Sequence, residues 1–571
     1  KWLEAASYTL ADHEDKVLEA QVDEVIGLIE AAQGEDGYFN TWLSLVAPDK
    51  RWTDLTWGHE LYCGGHLMEA AVAHFQSTGS RRFLDLMARY ADGLMPVFGP
   101  GGTRDGDACG HPEIELSLHR LAEATGDDRY ASLAAHFVEV RGRHPERFLD
   151  KKPLGFEIPV NAWFKPDYFQ AHVPVRQQHH ADGHAVRAMY LYTAMARQAK
   201  ATGDPQLKAV LAELWSSVVD RRMYVTGGLG SSAMGERFTI DYDLPSDTAY
   251  TETCASIGLV FWAQALLDLE PRGTYADEME RALYNGALSG MSLDGKRFFY
   301  VNPLEVIPAV ARRRSDLEHV KTERVAWFGC SCCPPNIARL VGSIGNYAWA
   351  FDGVNVRVDQ YVESQATFEV DGLPVEFSLK THYPWEGSIA LTLRTTSPKS
   401  FPLWLRIPGW CASFTLHVGG EAVVRPPVRD GYVVLDRTWS DGDRVQLDLA
   451  MPVRLLTARP EAAELAGRVA VSRGPLIFCA EEADNGADLH NLSVDPTVPA
   501  SARFYPNLMK GSVKVTLEGH RRRPCAGNAL YSAWDPRAEA ESVEVVLVPY
   551  HQWGNRKPGQ EMRVWLRVAR A

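Results

Sequence analysis

Apolar positions recur at a helical period from residue 1 to about 350. The segment His66-Leu67-Met68-Glu69-Ala70-Ala71-Val72-Ala73-His74-Phe75 shows it, as do residues 114–121 and 185–199. The same punctuation follows each of the three: Ser77-Thr78-Gly79-Ser80, Ala124-Thr125-Gly126-Asp127 and Ala201-Thr202-Gly203-Asp204. Glycine stops one helix, and the following Ser or Asp is placed to cap the next. A further amphipathic segment follows every time, at residues 83–87, 130–138 and 207–218. The repeating unit is a helical hairpin. An array of hairpins closes into a solenoid or an (α/α)6 toroid. The long connections at 142–177 and 222–250 favour the toroid, because long loops on one face of a closed helical ring build a site.

Beyond about residue 350 the period falls to two. Val354-Asn355-Val356-Arg357-Val358 alternates, as do residues 389–393, 403–407, 414–418 and 445–449. Turn signals separate them at Pro408-Gly409, Gly419-Gly420 and Asp441-Gly442-Asp443. A second strand cluster covers 468–471, 513–517, 543–548 and 562–568, interrupted by a loop at 484–507 rich in Asn, Asp and Pro. The fold expected is therefore multidomain: an (α/α)6 toroid over 1–350 and two antiparallel β-sandwiches over 351–453 and 454–571. The last strands are placed to return to the first sandwich.

Composition narrows the class. Of 571 residues, 46% are hydrophobic and 23% charged, and 59 basic against 73 acidic groups leave a net charge of -14. That argues against nucleic acid or an anionic membrane as partner. The run Arg521-Arg522-Arg523 reads as a solvated loop. No apolar stretch reaches the ~18 residues of a membrane span. The opening residues Lys1-Trp2-Leu3-Glu4 read as the interior of a helix and not as a leader peptide. Nine cysteines, at 63, 109, 254, 330, 332, 333, 411, 479 and 525, do not form a secreted disulfide pattern, so a reducing, cytoplasmic setting is expected. The 16 Trp and 21 Tyr suit a carbohydrate-handling protein but suit a large core equally. A homodimer is the expected assembly.

The densest chemistry is Cys330-Ser331-Cys332-Cys333-Pro334-Pro335-Asn336. Proline biases the residue before it away from the α region, so Cys333 is expected in an extended stretch or turn. Thr251-Glu252-Thr253-Cys254, just ahead of the apolar helix 255–267, supplies partners. On a regular helix Glu252 and Cys254 point about 200° apart, but at a helix start they can share a side. Glu252, Cys254, Cys332 and Cys333 make one oxygen and three sulfurs, a set suited to Zn²⁺. Spacing alone leaves a structural metal, or buried inert cysteines, equally open. Histidines open three helices: Trp57-Gly58-His59-Glu60, on a helix that also carries His66; Gly110-His111-Pro112-Glu113; and His179-His180-Ala181-Asp182-Gly183-His184. One per hairpin would converge on one mouth of a toroid and bind sugar hydroxyls as neutral rings. The glycine-rich stretch Gly227-Gly228-Leu229-Gly230 to Gly235-Glu236-Arg237-Phe238 presents Glu236 on a loop. It is no phosphate loop, lacking a following Gly-Lys-Ser/Thr.

Taken together, Thr-Glu-Thr-Cys and Cys-Cys-Pro-Pro-Asn resemble the zinc-dependent β-L-arabinofuranosidase family of glycoside hydrolases, over nearly the whole chain. The resemblance implies an (α/α)6 catalytic barrel followed by β-sandwich domains. It implies zinc held by Glu252, Cys254, Cys332 and Cys333, with Cys332 as nucleophile and Glu236 as acid/base. It implies substrate contacts from His59, His111 and His184, with His66 and His180 as rivals. It gives Cys330 no role. The expected activity is a retaining exo-glycosidase releasing β-linked L-arabinofuranose, or a closely related sugar, from small carbohydrate substrates. Two alternatives stand beside it. A sugar epimerase or isomerase on a similar toroid works with histidines alone. A carbohydrate-binding protein would carry the zinc as a structural ion.

Overall fold

The structure, a computed structural model, describes residues 1–149, 164–522, 530–531, 533 and 540–569. Part of the 142–177 connection, Arg523 and Cys525 lie outside the described residues. The three expected hairpins are present: Glu60–Thr78 with Arg82–Phe98, Ile114–Thr125 with Asp128–Val140, and Ala185–Thr202 with Pro205–Val219. Gly79, Gly126 and Gly203 each end a helix in the left-handed conformation, at φ of 72°, 73° and 67°. Asp127 and Asp204 cap the following helices through their carboxylates. Ser80 does not: the helix after it starts from Arg81, without a side-chain cap.

Six helices carry the core of this half: Trp2–Asp12, Glu60–Thr78, Ile114–Thr125, Ala185–Thr202, Thr253–Leu269 and Cys333–Gly342. Each packs on the next, and the sixth packs back on the first. A second layer (Lys16–Ala32, Arg82–Phe98, Asp128–Val140, Pro205–Val219 and Gly273–Arg281) backs the first five. Amphipathicity follows the layer. Arg82–Phe98 buries Phe83, Leu84, Met87, Tyr90, Ala91, Leu94 and Phe98, one stripe at helical spacing. Thr253–Leu269 buries residues all round, as a helix between two layers must. At about 1.5–3 kcal/mol per large apolar side chain, such stripes are what set each helix against its neighbour.

Residues 349–449 form a β-sandwich. A five-stranded and a six-stranded sheet enclose Val358, Phe377, Leu391, Leu403 and Trp439. Ser388–Thr395 alternates buried and exposed along its length, as the period-two pattern demands. One pairing is parallel, Val356–Val358 with Lys399–Arg406, so the sandwich is not wholly antiparallel.

The C-terminal part differs from a second sandwich. Strands Arg468–Arg473, Leu476–Glu481, Ala540–Pro549, Ser512–Arg522, Leu492–Val494 and Leu566–Val568 pair in that order, and the last pairs back to the first. The sheet closes on itself around Val471, Phe478, Val515, Leu517 and Leu547. Closure removes the sheet edges that an open sandwich must protect. The last strands complete this closed sheet and do not return to the first sandwich. One connection between Leu492–Val494 and Leu566–Val568 is parallel. The outer face packs on the helical half: Ile477, Cys479, Val548 and Trp553 meet Phe299, Leu304, Val306 and Leu317. Strand Glu305–Val306 pairs with Met562–Arg563 across the same junction. Among the described residues, no helix is long and apolar enough to cross a membrane.

Candidate active site

The six core helices start on one side. The residues preceding their first turns are Lys1, His59, Glu113, His184, Glu252 and Cys332. Five of these, all but Glu113, line a cavity of about 770 Å³, together with His111, Glu236, Tyr250 and Tyr300. Six helix N-termini make this mouth electropositive, which favours thiolates and carboxylates placed there. A second cavity, of about 460 Å³, sits at the junction of the three parts, beside Trp410 and Tyr242, and holds none of these groups.

The sulfur corner is built from two helix starts. Glu252 is the N-cap of Thr253–Leu269, and Cys254 lies in its first turn. The neighbouring segment pins this turn: Thr253 N donates to Tyr300 O (2.9 Å) and Asn302 Nδ2 to Thr251 O (3.1 Å). Cys333 begins the helix Cys333–Gly342, with Pro334 and Pro335 in its first turn. The extended conformation expected for Cys333 is therefore not found. Proline fits the first turn of a helix, where its missing N–H is not needed, and that outweighs the pre-proline bias. Cys254 Sγ lies 3.3 Å from Cys333 Sγ, and Cys332 Sγ 3.6 Å from Cys333 Sγ. Glu252 Oε1 lies 3.5 Å from Cys332 Sγ and 3.7 Å from Cys333 Sγ. Glu252 Oε2 is buried with no hydrogen-bond partner. Burial pushes the Glu252 and Cys333 groups well above their ordinary values, and neighbouring acidic groups add to it. Cys254 is brought down to about 6: burial pushes it up, and the Cys332 and Cys333 thiols overcome that. Four acidic groups this close, three buried and Cys332 half-buried, could hold a metal ion.

The second corner is organic. His184 Nδ1 accepts from Val186 N (3.1 Å), capping its helix, so Nε2 carries the proton and donates to Glu236 Oε2 at 2.8 Å. Tyr250 Oη donates to Glu236 Oε1 at 2.7 Å. Burial pushes the Glu236 carboxyl up, but these two donors and the Arg187 charge outweigh it and hold the group below the usual carboxylate range. Burial lowers the His184 ring, against the pull of Glu236. His59 and His111 have the opposite tautomer. Their Nδ1 atoms donate to Trp57 O and Pro112 O, leaving Nε2 as acceptor. Burial, with Arg187, depresses His59 to about 4 and His111 well below the ordinary value. All three rings stay neutral near pH 7. The rivals lie elsewhere: His180 is exposed, and His66 is buried with Nδ1 2.8 Å from Glu113 Oε1.

Four of these histidines, His59, His66, His111 and His184, follow a glycine, a pattern visible in the sequence and left unread there. A Cβ at Gly110 would lie 2.0 Å from Thr56 O, and at Gly183, 2.2 Å from Asp167 O. Backbone strain gathers at the same place. His59, Glu236 and Thr251 take φ of 57°, 51° and 41°. Each costs about 1–3 kcal/mol, and for β-branched Thr251 the conformation is rare. Tyr250 and Tyr300 were missed by sequence reasoning. Tyr250 adjoins the Thr-Glu-Thr-Cys motif and could have been suspected. Tyr300, whose Oη lies 3.1 Å from Cys332 Sγ, arrives through pairing of Val301 with Glu252 and carries no local signal.

Fold and site together define a carbohydrate-active enzyme. Residues 1–346 match the β-L-arabinofuranosidase GH127 catalytic domain, 355–451 the GH127 middle domain and 453–567 the glycoside hydrolase family 127 C-terminal domain. The chain belongs to the GH127 β-L-arabinofuranosidase family and is a glycoside hydrolase with a helical N-terminal domain and β-sheet domains. It is 42% identical to the non-reducing end β-L-arabinofuranosidase of Bifidobacterium longum subsp. longum, over 99% of this chain and 88% of that one. It is similar to the GH127 β-L-arabinofuranosidase structure from Geobacillus stearothermophilus T6, with a TM-score of 0.94, 46% identity, and coverage of 100% and 89%. A further GH127 β-arabinofuranosidase structure aligns with a TM-score of 0.86 at 34% identity, covering 99% and 87%.

Proposed function

We propose that the chain releases β-linked L-arabinofuranose from the non-reducing end of its substrates, with retention of configuration. Cys332 is the nucleophile and Glu236 the acid and base. The observation that carries this is that Glu252, Cys254 and Cys332 of the sulfur corner and the His184–Glu236–Tyr250 triad line one cavity, with Cys333 buried behind them.

The corner fits zinc. With metal–sulfur bonds of ~2.3 Å and a metal–oxygen bond of ~2.1 Å, tetrahedral donors lie about 3.6–3.8 Å apart. Four of the six separations here run from 3.3 to 3.7 Å, and all six lie within 4.8 Å. Three sulfurs disfavour hard cations, and the orphaned Glu252 Oε2 marks a carboxylate awaiting a partner. Glu252, Cys254, Cys332 and Cys333 would hold the ion. When bound, zinc supplies positive charge that keeps the Cys332 sulfur ionised at neutral pH.

In the first step Cys332 Sγ forms a bond to the anomeric carbon while the bond to the leaving oxygen breaks. Glu236 gives its proton to that oxygen. In the second step Glu236 takes a proton from water, the water oxygen bonds the anomeric carbon, and the carbon–sulfur bond breaks. A thiolate thus stands where ordinary retaining glycosidases have a second carboxylate. Glu236 must serve in both protonation states. Donors from His184 and Tyr250 favour its ionised form; burial, and the negative groups of the sulfur corner, favour the acid. His59, His111 and His184 bind sugar hydroxyls as neutral rings. The ring of six helices supports an (α/α)6 toroid, with domain divisions near 350 and 453.

Product configuration read by proton NMR tests the reading. Retention is expected, with activity lost in Glu236→Gln while its zinc content stays at one per chain. Inversion, or an active zinc-free enzyme, would overturn it. An epimerase or a pure binding module is not favoured, since neither accounts for the match to a hydrolase family over the whole chain.

A further inference from the structure

One wall of the cavity is a row of histidine rings, each from a different helix start. His59 and His111 lie 5.8 Å apart by ring centroid, and His111 and His184 a further 5.8 Å. Arg187 reaches all three segments. It lies in the first turn of the helix Ala185–Thr202, just after His184, and is 4% exposed. Its Nη1 donates at 2.6 Å to Gly110 O, the carbonyl before His111. Its guanidinium carbon stands 4.9 Å from the Tyr168 ring centroid, 5.1 Å from Phe169 and 6.0 Å from Trp57. Trp57 O accepts from His59 Nδ1, and Tyr168 O accepts from His184 N at 3.2 Å. A single side chain thus touches a residue that adjoins or holds each ring.

The setting suits arginine in particular. A planar guanidinium lies among aromatic faces and still donates along its edge, which the compact ammonium of lysine does less well. Gly110 is clamped from both sides: its N donates to Leu55 O at 2.7 Å, and its O accepts from Arg187. This ties the His111 loop to the segment leading into His59. The charge is not spent on a neighbouring acid. Glu236 is held by His184 and Tyr250, Asp167 pairs with Arg237, and Arg187 Nε is buried without a hydrogen-bond partner. A buried cation without an acid beside it is costly, and a merely structural peg could be apolar. Standing behind rings that face Glu236, this cation opposes the proton that a carboxylate would draw onto them. After burial it is the largest cause that holds His59 and His111 low; Asp54 pulls the other way on His59, and His184 adds to Arg187 on both. A neutral ring keeps an acceptor at Nε2, and a protonated one does not.

Resting on the reading of His59, His111 and His184 as the sugar-binding rings, we propose that Arg187 is the positioning residue of this histidine wall. It acts through the rings. It sets where they stand, and it keeps Nε2 of His59 and of His111 free to accept from the hydroxyls of a neutral sugar.

The test is a double-mutant cycle on methyl β-L-arabinofuranoside, whose poor leaving group makes the first step slow, so that KM approaches a dissociation constant. Arg187→Met is expected to raise KM about ten-fold and to leave kcat within about three-fold, with zinc content unchanged. In a His111→Ala background the same change should raise KM only about two-fold, because a ring that Arg187 sets is already gone. Arg187→Lys keeps the charge and one donor but not the flat stack, and should fall between wild type and Arg187→Met. Should Arg187→Met not fold, Arg187→Lys takes its place in the cycle, with a rise of about three-fold that vanishes beside His111→Ala. The full rise in both backgrounds, a fall in kcat at constant KM, or wild-type constants would overturn the proposal. His111→Ala with a wild-type KM would instead overturn the reading of the rings as sugar contacts, and the proposal with it.

Discussion

The two corners of the cavity solve opposite problems. The Glu236 corner is complete in itself: both carboxylate oxygens have donors, from His184 at 2.8 Å and Tyr250 at 2.7 Å. The sulfur corner is not. Four acidic groups meet with no basic group among them, and one oxygen of Glu252 is left without a partner. A hydrogen-bonded carboxylate can be tuned by neutral neighbours. The proposed zinc would be what holds a thiolate cluster ionised. The difference marks the sulfur corner as the one that could hold a metal ion, and the Glu236 corner as the one set by local packing.

The largest effect expected separates the corners chemically. Cys332→Ser should lower kcat by about 10⁴ or more, because both steps pass through that sulfur. Glu236→Gln should cost about 10²–10⁴ on substrates with poor leaving groups, and far less in the first step with an activated aryl leaving group. Equal losses of Glu236→Gln on both substrate types would break the assignment of Glu236 as acid.

Metal removal comes next and should strike only one corner. A strong chelator is expected to abolish activity and lower Tm by several degrees, since unpaired buried charges cost about several kcal/mol. Elemental analysis should give one zinc per chain for wild type and a large loss for Cys254→Ser. Full zinc occupancy in Cys254→Ser would contradict the ligand set.

Tyr250→Phe sharpens the other corner. It removes a hydrogen bond to a charged group, worth about 1.5–3 kcal/mol, so kcat should fall roughly ten-fold or more with zinc content intact. Tyr250 stabilises the ionised carboxylate, so its loss raises the Glu236 value. The basic limb of the kcat/KM profile, where Glu236 loses the proton it must give, should move to higher pH. A limb that stays put, or moves to lower pH, would remove Tyr250 from the tuning of Glu236.

The smallest effect concerns the histidine wall. His59 sits near 4 when folded and near 6.5 when unfolded, so between these values the unfolded chain binds the extra proton. Stability is full above about pH 6.5 and declines as pH falls towards 4, by ~1.4 kcal/mol per unit for this ring. Burial is the first cause and the Arg187 charge the second; His184 opposes the proton and Asp54 favours it. His59→Asn should flatten the decline in Tm over that window; an unchanged slope would show that the ring is not held neutral by its surroundings.

Much of this was legible in the chain. Glycine stops at 79, 126 and 203 and aspartate caps at 127 and 204 are local signals, and the helices follow them. The sulfur corner was legible because two short motifs carry all four donors. What failed to show is non-local. Closure of the C-terminal sheet depends on Leu566–Val568 meeting Arg468–Arg473 across nearly the whole domain, and alternation alone does not say which strands pair. Leu492–Val494 and the fully exposed Ser501–Tyr505 lie inside what reads as a loop, one too short and the other without a buried face. Tyr300 reaches Cys332 through a backbone pairing.

The most direct test is to trap the sugar on the protein. Glu236→Gln should still react with a dinitrophenyl β-L-arabinofuranoside, whose leaving group needs no proton, and then stall for want of a base. Peptide mapping by tandem mass spectrometry is expected to find one pentosyl group on Cys332, and none on Cys330 or Cys333. A pentosyl group on another residue, or turnover with inverted product and no adduct, would contradict the thiolate mechanism.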